Sequence, residues 1–155
     1  MSLVAPYNPP PLVADKTHKA ALPADDGKCR ARPLRIIVVD DDPDTVMTFL
    51  DLLRDEGHDA HGYGSGKAAL EAIAQLNPDV VVSDIAMPPP NGWDVAREVR
   101  RLRGDLPPPL MIAVSGKYTK GSDRVLAQIA GFNYYLTKPC DPQVLITLIE
   151  TARPD

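Results

Sequence analysis

From Leu34 onward the apolar residues of this chain alternate between continuous strand-like runs and helical faces. Residues 34–39 predict a strand whose unbroken apolar run, Ile36 to Val39, is rich in β-branched side chains, the pattern of a strand covered on both faces. Asp42 follows as a helix cap, with Pro43 at the first helical position. Val46, Phe49, Leu50 and Leu53 recur at i, i+3, i+4, i+7 and predict a buried helix face that ends near Gly57. A short strand over 58–63 leads to Ser65 as the next cap. Ala69, Leu70, Ile73 and Leu76 then mark a second helix, stopped before Asn77-Pro78. Residues 80–83 predict strand three. The loop 87–92 carries three consecutive prolines, and a third helix with Val95, Val99 and Leu102 on its inner face begins after it. A fourth strand ending at Ser115, a helix over about 120–130 stopped by Gly131, a strand over 133–137 and a helix from Pro142 complete the series. The last helix sets Leu145, Leu148, Ile149 and Ala152 on one face.

Five βα units with short connections predict an α/β fold. Right-handed crossovers between parallel strands lead to a doubly wound parallel sheet with helices on both faces, a three-layer α/β/α sandwich. Residues 1–33 differ in kind. Six of the 17 prolines fall there (Pro6, Pro9, Pro10, Pro11, Pro23, Pro33), with no apolar period, so the segment is expected to be a Pro-rich disordered leader or linker. The expected domain is 34–153.

The net charge of −4 gives no broad basic field, which argues against direct nucleic-acid binding by this chain. No apolar run approaches the length of a membrane span, and no secretory signal is expected. The two cysteines, Cys29 and Cys140, form neither a disulfide framework nor a metal-ligand spacing, so a cytoplasmic setting is expected.

Chemistry concentrates at the carboxyl ends of the predicted strands, where open parallel sheets bind ligands. Strand one runs into Asp40-Asp41-Asp42, strand three into Asp84, strand four into Ser115 and strand five into Lys138-Pro139. If these tips converge, the cavity holds several carboxylates, a hydroxyl and an ammonium. Crowded carboxylates repel and call for a cation, and a hard divalent ion such as Mg²⁺ suits one or two of them. Asp42 and Asp44 are read as dipole-complementing residues of a helix start. Asp84 is not, because three prolines follow within six residues and no helix begins there. It is the nucleophile candidate, able to form an acyl phosphate. Lys138 would supply positive charge and Ser115 a hydrogen bond to a phosphoryl oxygen, while Pro139 is a cis-peptide candidate.

These stretches carry a resemblance. Val38-Val39-Asp40-Asp41-Asp42-Pro43, Ser83 to Pro88, Asn91-Gly92, Val114-Ser115-Gly116 and Gly131 to Pro139 look like the response-regulator receiver domain of two-component signalling. The resemblance implies a flavodoxin-like (βα)5 fold with strand order 2-1-3-4-5. It implies that Asp84 is the phosphoacceptor and that Asp41, Asp84 and the Ala86 backbone carbonyl bind Mg²⁺ (or Mn²⁺), with Asp40 acting through water. Ser115 and Tyr135 correspond to the switch residues, and Lys138 to the phosphoryl-binding lysine. The implied partners are a sensor histidine kinase or histidine phosphotransfer protein, and a downstream protein target or output domain. The implied role is signalling rather than enzymatic.

Two departures stand out: Pro89-Pro90 after the acceptor, and Cys140, read as a small buried hydrophobe. A haloacid-dehalogenase-type phosphatase is disfavoured because Asp44 stands where Thr or Val is needed. A flavodoxin is disfavoured because Asp40, Asp41, Asp42 and Asp44 would repel a phosphate. The remaining alternative is a receiver-like interaction module that acts without phosphorylation.

Overall fold

In a computed structural model of the chain, residues 32–116 and 121–153 are described. The chain divides after Arg32, and the expected Pro-rich leader lies outside the described residues apart from its last two. The second unit contains β1 (Arg35–Val39), α1 (Pro43–Asp55), β2 (Asp59–Tyr63), α2 (Gly66–Leu76) and β3 (Val80–Ser83). It continues with α3 (Gly92–Arg103), β4 (Leu110–Ser115), α4 (Gly121–Ala130), β5 (Tyr134–Thr137) and α5 (Pro142–Glu150). The strands form one five-stranded parallel sheet in the order β2-β1-β3-β4-β5. This is the doubly wound sheet that the βα pattern predicts, in the flavodoxin-like strand order that the resemblance implies.

Alternation along the central strands builds two cores. Ile37, Val39 and Val81 face one layer with Ala69, Ile73, Val95, Val99 and Ala127, so α2, α3 and α4 cover that side. Ile36, Val38, Val80 and Val82 face the other with Leu50, Leu53, Leu145 and Ile149 of α1 and α5. Helix starts follow the capping chemistry. Asp42 accepts from the Asp44 amide, and Ser65 accepts from the Ala68 amide. Asn91 and Asp94 form a reciprocal capping box that starts α3 immediately after the prolines.

Some helix faces differ from expectation. Leu102 is exposed rather than inward, because the stripe that packs on the sheet is Val95, Ala96 and Val99. Phe49 and Leu148 are only half-buried, and Ile146 joins the buried face of α5. His58 precedes β2 instead of opening it; it is buried, and its Nδ1 accepts the Leu34 amide at 3.2 Å. The expected onset of α4 at Lys120 lies outside the described residues.

Candidate functional site

Strand register places the candidate residues side by side. Val39 of β1 pairs with Ser83 of β3, so Asp40 and Asp84 leave the sheet together. Ser115 of β4 pairs with Thr137 of β5, which sets Lys138 one residue beyond that tip, and the Lys138 amide donates to the Ser115 carbonyl at 3.1 Å. β1 has β2 on one side and β3 on the other, so the chain reverses direction across the sheet at this point, where α/β sheets open a crevice.

Lys138 Nζ lies 2.7 Å from Asp40 Oδ2 and 3.3 Å from Asp84 Oδ2. Asp40 is 2 % exposed and Asp84 7 %, so the ammonium is shared between two carboxylates that have lost most of their water. Asp41 is exposed, and its carboxylate can come within 4.8 Å of oxygens from both buried aspartates. Among the described residues, Asp40, Asp41 and Asp84 form an acidic group able to hold a metal ion. Hard oxygen donors, two of them buried and one open to solvent, fit a small divalent cation.

The backbone fixes these side chains. The Asp42 amide donates to Asp40 Oδ1 at 2.9 Å and the Ala86 amide to Asp84 Oδ1 at 3.2 Å. Ser83 Oγ, fully buried, donates to the Asp84 carbonyl at 2.8 Å. Burial raises the Asp84 pKa and the negative charge of Asp40 adds to the rise, while Lys138 and the Ala86 amide oppose it. Burial works against charge on Lys138, but its bonds to Asp40 and the fields of both carboxylates outweigh that and hold its pKa up.

Ser115 is fully buried at the tip of β4. The neighbouring Tyr135 is half-buried with its phenolic oxygen withdrawn from solvent. Burial raises the phenol's pKa, and the nearby Ser115 hydroxyl lowers it. The Arg124 guanidinium of α4 lies 5.9 Å from the Tyr135 ring centroid, within cation–π range. The Lys138–Pro139 peptide is cis, and so is Pro89–Pro90. Half-buried Cys140 packs against the α1/α5 core, and burial raises its thiol pKa.

Asp40, Asp84 and Lys138 are thus in direct contact, Asp41 joins them, and Ser115 stands at the adjoining tip of β4 with the Tyr135 side chain of β5 beside it. Ala86 is half-buried two residues after Asp84. Gly92 was legible as part of a motif but not as a site residue. A β-carbon there would lie 2.3 Å from the Asp84 carbonyl oxygen and 2.6 Å from Ile85 Cα, so only glycine lets α3 begin against the Asp84 backbone. The signal was a glycine in a first helical turn, where it is a poor helix former.

Among known proteins, a curated 14.6 kDa protein encoded in the sodA1 3′ region of Leptolyngbya boryana is 40 % identical over 116 residues, covering 74 % of this chain and 86 % of its own. The DNA-binding response regulator MtrA of Mycolicibacterium smegmatis is 37 % identical over 115 residues, 74 % of this chain, which spans about half (48 %) of that relative. A putative response regulator from Chloroflexus aurantiacus superposes with a TM-score of 0.67 at 31 % identity, covering 78 % of this chain and 98 % of that one. A CheY-like receiver domain from Methanospirillum hungatei gives a TM-score of 0.69 at 25 % identity, covering 77 % and 92 %. The family profile of the response regulator receiver domain matches residues 36–150. With this fold and these matches, the chain belongs to the response regulator receiver domain family of two-component signalling.

Proposed function

We propose that the chain is a phospho-accepting receiver, with Asp84 taking a phosphoryl group from a phosphohistidine of a sensor histidine kinase or histidine phosphotransfer protein. The contact of Asp84 with Lys138 beside Asp40 and Asp41 carries this reading. An Asp84 oxygen attacks phosphorus in line, the O–P bond forms as the P–N bond breaks, and the departing imidazole takes up a proton. Such transfer depends chiefly on positioning and charge neutralisation. The Ala86 amide and Ser83 hold the acceptor in place, and Lys138 offsets charge gained on phosphorylation. Asp41, Asp84 and the Ala86 carbonyl would hold Mg²⁺ (or Mn²⁺), with Asp40 acting through water. The bound ion offsets repulsion between the carboxylates and the incoming phosphoryl oxygens.

The signal would travel by population shift. Ser115 moves toward the new phosphoryl oxygens, Tyr135 repacks against it, and the surface of α4, β5 and α5 changes shape. That surface exposes Val125, Leu126, Ile129, Tyr134 and Val144, an apolar set suited to a protein partner or output domain. No described helix is long and apolar enough to cross a membrane; a cytoplasmic setting fits a kinase partner.

Replacing Asp84 with Asn tests the acceptor. Labelling from a phosphohistidine donor or small acyl phosphate should require Mg²⁺ and vanish in D84N. Undiminished labelling of the variant would refute the assignment, and a wild-type chain that never labels would favour an interaction module without phosphorylation. Beryllofluoride with Mg²⁺ should shift amide resonances through residues 121–150; changes confined to the pocket would defeat the switch.

A further inference from the structure

We propose that Gly66, at the first turn of α2, is a positioning residue for the acceptor loop. This rests on the phosphoryl-transfer reading above. Gly66 is buried, and a β-carbon placed on it would sit 2.3 Å from the Pro90 carbonyl oxygen, 2.9 Å from Pro90 Cγ and 3.0 Å from Val95 Cγ2. No positive φ marks this glycine, in contrast to Gly57, Gly104 and Gly131, so its backbone geometry is open to any residue. Glycine is a poor helix former, and alanine would favour α2 locally. The absence of a side chain is therefore a matter of space for Pro90.

The loop 86–91 has little freedom to yield. Its start is tied to the acceptor by the Ala86 amide on Asp84 Oδ1, and the buried side chains of Ile85 and Met87 anchor it in the core. Its end returns to the same place. The Gly92 amide donates to the Ile85 carbonyl at 3.1 Å, the Asn91–Asp94 box fixes the α3 start, and Gly92 packs on the Asp84 backbone. Pro90 is half-buried between these anchors and rests on Gly66, while Pro88 and Pro89 are exposed. Any side chain at position 66 pushes Pro90 away from α2. With Gly92 already in contact with Asp84, the displacement passes into the segment holding Ala86 and its amide bond to the acceptor. The α2 start thereby sets the distance between Ala86 and Asp84.

Gly66→Ala in the full chain tests this, with Gly64→Ala as control, since a β-carbon at Gly64 meets nothing within 4 Å. Three quantities are read: amide shifts of Ala86 and Asp84 without metal, the Mg²⁺ concentration for half-maximal labelling by acetyl phosphate, and the maximal labelling rate. For G66A the Ala86 and Asp84 amides should shift, the Mg²⁺ midpoint rise severalfold and the rate fall about tenfold, with G64A unchanged. Adding Pro90→Gly, which frees the carbonyl to swing aside, should restore at least half of the lost rate. If G66A does not fold, G66A/P90G carries the test: recovery of fold and labelling supports the contact with Pro90, and failure of both overturns it. Wild-type shifts at Ala86 and Asp84 in a folded G66A also overturn it. If the wild-type chain never accepts phosphate, the phosphoryl reading fails while the amide shifts still decide whether Gly66 positions the loop.

Discussion

Replacing Lys138 with Met isolates what the ammonium does for the acidic pocket. The substitution keeps most of the unbranched side chain and removes its charge, leaving two nearly buried carboxylates, Asp40 and Asp84, with Asp41 close by. At an effective dielectric of about 20, the gross attraction is roughly 6 kcal/mol across the 2.7 Å contact and roughly 5 kcal/mol across the 3.3 Å contact. Most of that offsets the cost of desolvating the three groups. What the variant loses is the net, and breaking a buried pair by removing one partner typically costs ~3–5 kcal/mol. The Lys138 side chain is 29 % exposed, which argues for the lower end, about 3 kcal/mol. For a domain of this size that lowers Tm by about 10 °C.

The same reasoning fixes how metal should act. Divalent cation binding to the folded pocket stabilises by the logarithm of its saturation, about 2.7 kcal/mol at a hundred times Kd. K138M has lost the competing ammonium, so Mg²⁺ should raise its Tm more than it raises that of the wild type. Thermal unfolding of both proteins in chelator and in excess Mg²⁺ at neutral pH measures the four values needed. Equal stability of the two proteins in chelator would show that Lys138 is not offsetting buried charge. A Mg²⁺ response no larger in K138M than in the wild type would show that the cation and the ammonium do not neutralise the same carboxylates.

Other outcomes follow from single contacts. His58 accepts the Leu34 amide at Nδ1, so its neutral form carries the proton on Nε2, 3.4 Å from Glu150 Oε1. Burial lowers its pKa below 6.5; Glu150 and Glu56 oppose the shift, and Arg153 adds to it. The unfolded chain then binds the proton more tightly, so stability should fall as pH drops from 6.5 through the lowered folded value. Urea titrations between pH 7.5 and 5 should show that slope in the wild type and lose it in H58Q; equal slopes would contradict it. Asn91→Ala removes the capping box of α3 and should cost about 1 kcal/mol in urea unfolding. A loss within experimental error would mean that Gly92 packing alone starts the helix.

The fold was legible because strand and helix periods differ sharply here. Ile36 to Val39 and Val80 to Val82 are short, β-branched and apolar without alternation, as strands covered on both faces are. The helix starts were legible because Asp42 and Ser65 are capping residues placed next to proline or glycine. Convergence of Asp40, Asp84 and Lys138 followed from strand order, since a parallel sheet brings successive strand ends to one rim. Which atoms touch did not follow. Lys138 lies closer to Asp40 than to Asp84, a preference invisible in spacing.

The residues that escaped the sequence reading share a physical character. His58, Gly66 and Gly92 act through what approaches them from distant parts of the chain: the Leu34 amide, the Pro90 carbonyl and the Asp84 backbone. Periodicity sees only whether a position is apolar, and motif spacing sees only groups that carry charge or a hydroxyl. A glycine that matters for the room it leaves shows neither signal. Its one trace in sequence is a local cost, a poor helix former in a first helical turn, and that cost is sensible only if something else must occupy the space. In this domain the thing that occupies it, at both Gly66 and Gly92, is the backbone of the segment from Asp84 to Pro90. The loop bearing the candidate acceptor is therefore held by close backbone packing on two helix starts, at two residues that have no side chain to offer.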